Sequence, residues 1–149
     1  MIQLGEQAPD FTLPSTKGPF RLSALQGEKF AVLLFYPKDK TPGCQQQLSA
    51  ARDAASDYAG RNAQVVAINP DSLSSHQAWA DEEGFDFPIC VDENRQVAEA
   101  YGVLKPGGGI QRTVFIVSDE GRVVWSQEGL PATTEIMNAL DLLNEPPNR

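Results

Sequence analysis

Apolar and polar positions change period repeatedly along the chain, and each change marks an element. Phe30 through Tyr36 form an unbroken apolar run of strand length, the pattern of a strand buried on both faces, and this run is expected to be the central strand. Before it, residues 11–13 and 20–22, separated by Pro14, Gly18 and Pro19, predict a short N-terminal hairpin. Ser23 is then expected to cap a brief turn ending at Gly27. After it, Leu48, Ala51, Ala55 and Tyr58 recur three or four apart among Gln45, Gln46, Arg52 and Asp57, which predicts one amphipathic helix over 43–58. A second apolar strand over 65–68 leads through Pro70 to a helix capped by Ser72 or Ser74 and ended by Gly84. Residues 87–91 read as a third strand, 94–101 as a helix, and Pro106-Gly107-Gly108-Gly109 as a loop. Residues 112–117 and 122–125, joined through 118–121, predict a β-hairpin. A last helix over 133–143 carries the core stripe Ile136, Leu140 and Leu143, and the tail 146–149 is expected to fray.

Strands joined by helical crossovers, followed by an antiparallel hairpin and a final helix, give an α/β protein. The expected form is a thioredoxin-like mixed central sheet flanked by helices, with the N-terminal hairpin added. The 149 residues fit one domain over 1–149, large enough to bury a core without disulfides. Twelve basic against twenty acidic residues leave a net charge of −8, which argues against nucleic acid or an anionic membrane as partner. The first residues lack a basic start followed by an apolar segment, and no apolar stretch approaches the roughly 20 residues that span a bilayer, so a cytoplasmic location is expected. Two cysteines, Cys44 and Cys90, and the single His76 do not supply a metal-ligand cluster; no metal or other cofactor is expected.

Cys44 is the candidate for chemistry. It lies in the first turn of the predicted helix, where unpaired backbone N–H groups and the positive end of the helix dipole favour a thiolate, the nucleophilic form. The segment Thr41-Pro42-Gly43-Cys44, preceded by Phe35-Tyr36-Pro37, resembles the active-site loop of the peroxiredoxins, above all the bacterioferritin comigratory protein or peroxiredoxin Q branch. Further resemblances follow in order: Ala8-Pro9-Asp10-Phe11-Thr12-Leu13, residues 65–71 with His76, Tyr101-Gly102-Val103, and Arg112-Thr113-Val114-Phe115-Ile116 with Asp119-Glu120-Gly121. They span nearly the whole chain, from about Leu4 to Leu143.

The resemblance implies a thiol-dependent peroxidase. Its substrates would be hydrogen peroxide and organic hydroperoxides, and its reductant thioredoxin, glutaredoxin or a low-molecular-weight thiol. Displacement on a peroxide moves charge from sulfur to oxygen, so donors fixed around the S–O–O line matter most. By resemblance Cys44, Thr41, Arg112 and Pro37 are catalytic, while Pro42, Gly43 and Gln47 bind substrate. Thr41 would offer its hydroxyl to a peroxide oxygen or act as an ordinary helix cap. Pro42 would stiffen the loop and shield the sulfur, and the N–H groups of Gly43 and Cys44 would hold the developing oxyanion. Arg112 would steady thiolate and oxyanion, or else make a surface ion pair. Gln47, where related sequences usually carry Glu, would orient that arginine or face solvent. His76 is expected on a polar helix face.

Many sequences of this branch place a resolving cysteine five residues after the first, and here that residue is Ser49, which cannot form a disulfide with a sulfenic acid. Cys90, in an apolar strand, is either a buried core thiol or an atypical resolving residue that reaches Cys44 only if the helix start unwinds. A one-cysteine cycle with an external thiol is therefore expected, in a monomer or a homodimer. The alternative is a peroxide sensor that relays oxidation to a partner. A thioredoxin-type disulfide reductase is disfavoured, because Cys44-Gln45-Gln46-Gln47 lacks a second cysteine.

Overall fold

The computed structural model describes residues 1–145; the expected fraying of 146–149 lies outside the described residues. Its centre is a five-stranded mixed sheet in the order β5-β4-β3-β6-β7. The apolar run becomes β3 (Phe30–Phe35), which pairs in parallel with β4 (Ala63–Asn69) and antiparallel with β6 (Thr113–Val117). Hydrogen-bonding neighbours on both sides and side chains buried on both faces explain why this run has no polar alternation. β5 (Ile89–Val91) extends the sheet beyond β4, and β7 (Val123–Glu128) returns antiparallel beside β6. The N-terminal hairpin forms as β1 (Thr12–Leu13) and β2 (Phe20–Arg21).

Two apolar layers flank the sheet. Val32, Leu34 and Tyr36 point to the face covered by α1 (Pro42–Asp53), α2 (Ala55–Gly60), α3 (Leu73–Glu83) and α5 (Thr133–Asn144). Ala31, Leu33 and Phe35 point to the opposite layer, which holds α4 (Gln96–Tyr101), Phe11, Leu22 and Cys90. Alternation along β3 thus divides the core, and a residue's parity decides its layer.

The structure corrects several local expectations. The single helix over 43–58 is broken at Ala54, whose ψ of 12° leaves the helical range; Ala54 and Tyr58 are both buried, so core packing sets the break where no Gly or Pro signals it. Ser23 does not cap the turn before β3. It lies inside a 3₁₀ turn over Leu22–Leu25, and the Asp10 carboxylate accepts its N–H at 2.9 Å. Ser72, not Ser74, caps α3 by accepting the Ser75 N–H, and Gly84 ends that helix at φ 71°. Helix 94–101 begins later, after Arg95 in a left-handed conformation.

Leu48 anchors α1 to the sheet and is fully buried. Leu48→Ala should lower unfolding free energy by about 2–5 kcal/mol, read as a shifted urea midpoint with unchanged m-value.

Candidate active site

The site forms where β3 ends. Tyr36 is the last apolar residue, Pro37 and Lys38 are exposed, and the chain turns back through Asp39, Lys40 and Thr41 into α1. Lys40 adopts φ 66°, a left-handed conformation unusual for a side-chain-bearing residue. Pro42 occupies the start of the helix, where a missing N–H costs nothing, and is exposed. The first helical bond runs from the Gln45 N–H to the Thr41 carbonyl at 2.7 Å, so the amides of Gly43 and Cys44 come before the hydrogen-bond ladder and face the helix N-terminus. Cys44 is fully buried among Val32, Leu34, Tyr36 and Leu48.

Arg112 lies one residue before β6, and the antiparallel pairing of Thr113 with Phe35 carries it to the same end of the sheet. Its Nη1 donates to Gln47 Oε1 at 2.8 Å. An ideal Cβ on Gly43 would stand 3.0 Å from Arg112 Nη2, so the guanidinium lies directly against the cysteine's neighbour. Thr41, Gly43, Cys44, Gln47 and Arg112 are therefore brought together. Gln47 is buried rather than exposed, and its Nε2 has no hydrogen-bond partner among the described residues. No carboxylate among the described residues lies within ion-pair distance of Arg112, so its charge meets only a neutral amide.

Thr41 does not behave as a side-chain cap. Its hydroxyl donates back to the Lys38 carbonyl at 2.9 Å, leaving the oxygen lone pairs as the open function. Cys90 pairs in register with Ile68, itself opposite Phe35, so it does lie toward the active-site end of the sheet. It sits in the opposite apolar layer, however, and the sheet separates its thiol from Cys44. Burial, and then the nearby Asp92 charge, push the Cys90 thiol up to about 12.

The expectation for His76 is overturned. It is fully buried, with Nδ1 2.7 Å from Asp39 Oδ2 and Nε2 3.2 Å from the Cys90 carbonyl. Asp39, which sequence reasoning missed, accepts from the Tyr36 hydroxyl at 2.6 Å and the Ser75 hydroxyl at 2.7 Å, while its N–H donates to Asp71 Oδ2 at 2.8 Å. Burial opposes ionisation of this carboxyl, but the hydrogen bonds from His76, Tyr36 and Ser75 outweigh it and hold the group below its ordinary 3.8. The same burial and the Asp39 charge push the Tyr36 phenol well above its usual range. The one available signal was a carboxylate between two lysines directly after an apolar strand, and no spacing rule links it to His76.

A carboxyl depressed on folding contributes stability that is complete above its unfolded value of about 3.8 and lost as pH falls through the lower folded value. Acid titration of stability should therefore show a slope below that point that Asp39→Asn removes. Gly43→Ala tests the arginine contact: the Cβ displaces a flexible side-chain end, so Tm should move by no more than about 2 °C while oxidation of Cys44 by added hydrogen peroxide slows about tenfold.

Residues 4–126 match the AhpC/TSA family. Peroxiredoxin Bcp of Bacillus subtilis is 32% identical over 152 residues, covering 97% of this chain and 96% of that protein. Among solved structures, peroxidoxin BcpB of Mycobacterium tuberculosis superposes with a TM-score of 0.90 at 28% identity, covering 97% of this chain and all of that one. The bacterioferritin comigratory protein of Xanthomonas campestris, whose structures address alkyl peroxide reduction, gives a TM-score of 0.87 at 25% identity over 96% of this chain and all of that one. With its thioredoxin-like sheet and a buried cysteine at the start of the helix after the central strand, the chain belongs to the AhpC/TSA family and is a peroxiredoxin, a thiol-dependent peroxidase.

Proposed function

We propose that this peroxidase works by a one-cysteine cycle in which Cys44 reduces hydrogen peroxide or a small organic hydroperoxide and an external thiol restores it. The observation that carries the reading is the convergence of Cys44, the first-turn amides and Arg112 at one end of the sheet. Alkyl peroxide reduction by the related Xanthomonas protein supports including organic hydroperoxides.

In the first step a lone pair of the Cys44 thiolate attacks the terminal peroxide oxygen. An S–O bond forms as the O–O bond breaks, sulfur is oxidised to sulfenic acid, and the second oxygen leaves as alkoxide or hydroxide and takes a proton to become alcohol or water. Thr41, whose own hydrogen is committed to Lys38, accepts from the peroxide O–H and so orients it. Arg112 and the amides of Gly43 and Cys44 donate to the oxygens as negative charge passes from sulfur to the leaving group. Because Gln47 fixes the guanidinium without neutralising it, the full charge remains for that task.

The return half-reaction needs a thiol that attacks the sulfenic sulfur, releases water and leaves a mixed disulfide, which a second thiol cleaves. Ser49 cannot supply the first thiol, and Cys90 is buried behind the sheet with its proton held. These features favour thioredoxin, glutaredoxin or a low-molecular-weight thiol as the donor, in a reducing compartment such as the cytoplasm.

Non-reducing intact mass spectrometry after one equivalent of hydrogen peroxide tests the cycle on wild type and Cys90→Ser. A sulfenic or sulfinic adduct on Cys44 in both proteins is expected, with catalytic turnover once an external dithiol is added. A Cys44–Cys90 disulfide confined to wild type would make Cys90 the resolving residue. A single stoichiometric burst with every reductant would point instead to a redox relay.

A further inference from the structure

Cys44 is fully buried, so neither a thiol donor nor any bulky reagent can reach its sulfur without movement of the first turn of α1. Besides its apolar packing and the Arg112 contact at Gly43, that turn is held by a specific set of polar contacts from one helix. We propose that α3 latches α1 shut from both sides of the cysteine, with His76 gripping Asp39 before it and Trp79 gripping Gln45 after it. This inference rests on Cys44 being the reacting thiol only for its biological meaning; the geometry stands by itself.

His76 and Trp79 are three residues apart in α3 and so share one helix face. On the upstream side His76 Nδ1 meets Asp39 Oδ2 at 2.7 Å, beside the Ser75 hydroxyl on the same oxygen. The other ring nitrogen, Nε2, faces the Cys90 carbonyl at 3.2 Å. An ionised carboxylate only accepts, so Nδ1 donates to Asp39 and ties the ring to the loop before the cysteine. On the downstream side the Trp79 indole N–H donates to Gln45 Oε1 at 2.8 Å, and the Gln45 Nε2 donates to Ser49 at 2.9 Å. The tryptophan cannot yield easily: it is buried and its ring packs on Tyr36 at 5.9 Å and edge-on to Phe85 at 5.1 Å.

Between the two grips lie residues 40–44, which include Lys40 in its left-handed conformation and the cysteine itself. Among the described residues, α3 adds one ion pair to the latch along this stretch, an exposed Lys40–Glu82 contact at 4.0 Å, and such a pair contributes little. The segment can swing about Lys40 once the grip on either side is released. His76 and Trp79 therefore act as positioning residues: they keep the sulfur among its donors during attack on peroxide and set how often it is presented to the reducing thiol. Through the Cys90 carbonyl the same latch is tied to β5, which explains why a buried histidine is fixed at both nitrogens.

Alkylation of the reduced protein by N-ethylmaleimide, followed by peptide mass spectrometry, tests the latch in His76→Gln and Gln45→Ala. Rates are compared at the alkaline plateau of each pH profile, where thiol ionisation no longer differs. Each variant should label Cys44 about tenfold faster than wild type while Cys90 stays unlabelled. Gln45→Ala removes a half-buried side chain and keeps the test informative even where loss of the buried histidine prevents folding. An unchanged Cys44 rate in Gln45→Ala would overturn the proposal, as would labelling of Cys90 in step with Cys44, which reports loosening of the whole fold. The readout involves no peroxide, so a chain whose Cys44 failed to turn over peroxide would still reveal the latch.

Discussion

A buried carboxylate must be surrounded by donors, and in this protein that requirement assembles the active site around Asp39. The Tyr36 hydroxyl at the end of β3, the Ser75 hydroxyl and His76 in the first turns of α3, and Asn69 at the end of β4, 3.5 Å away, all direct hydrogens to it. None of these groups contacts substrate in the chemistry described above. Together they fix where the loop after the central strand turns, and that turn decides where the α1 N-terminus and Cys44 stand.

The chemistry then follows from placement more than from unusual residues. A cysteine at a helix start, an arginine brought across by the β3–β6 pairing, and a neutral amide holding that arginine place a positive charge beside the thiol in an acidic protein. Most of the acidic residues behind the charge of −8 are exposed, whereas among the described residues Arg112 has no carboxylate partner. Only buried or half-buried charges act at full strength on the reacting atoms, because solvent and salt screen the rest.

Burial of the thiol carries a second consequence. A small peroxide and a bulky reducing thiol make opposite demands, since one needs fixed donors and the other needs access. The structure meets the first demand, with Cys44 enclosed and α3 packed against both flanks of its loop. The second demand falls on the first turn of α1, whose polar ties to α3 run through Asp39 before the cysteine and Gln45 after it.

Much of this was legible in the chain. The double-faced apolar run named the central strand, 3.6-residue periodicity named α1 and α5, a serine cap and Gly84 bounded α3, and Thr41-Pro42-Gly43-Cys44 marked the nucleophile, because local spacing and turn chemistry depend on neighbours in sequence. The helix break at Ala54 has no Gly or Pro to announce it, and Thr41 looked like a cap because its type and position fit one. His76 looked like a surface residue because its partners, Asp39 and the Cys90 carbonyl, lie 37 and 14 positions away. The same holds for the separation of Cys44 from Cys90: the packing of α1 on one face of the sheet and the register of β5 beside β4 put the two thiols in opposite layers, and neither is visible in local spacing. Local order is written in the chain, whereas the protonation, burial and mutual reach of side chains arise from long-range contacts that exist only once the sheet has formed.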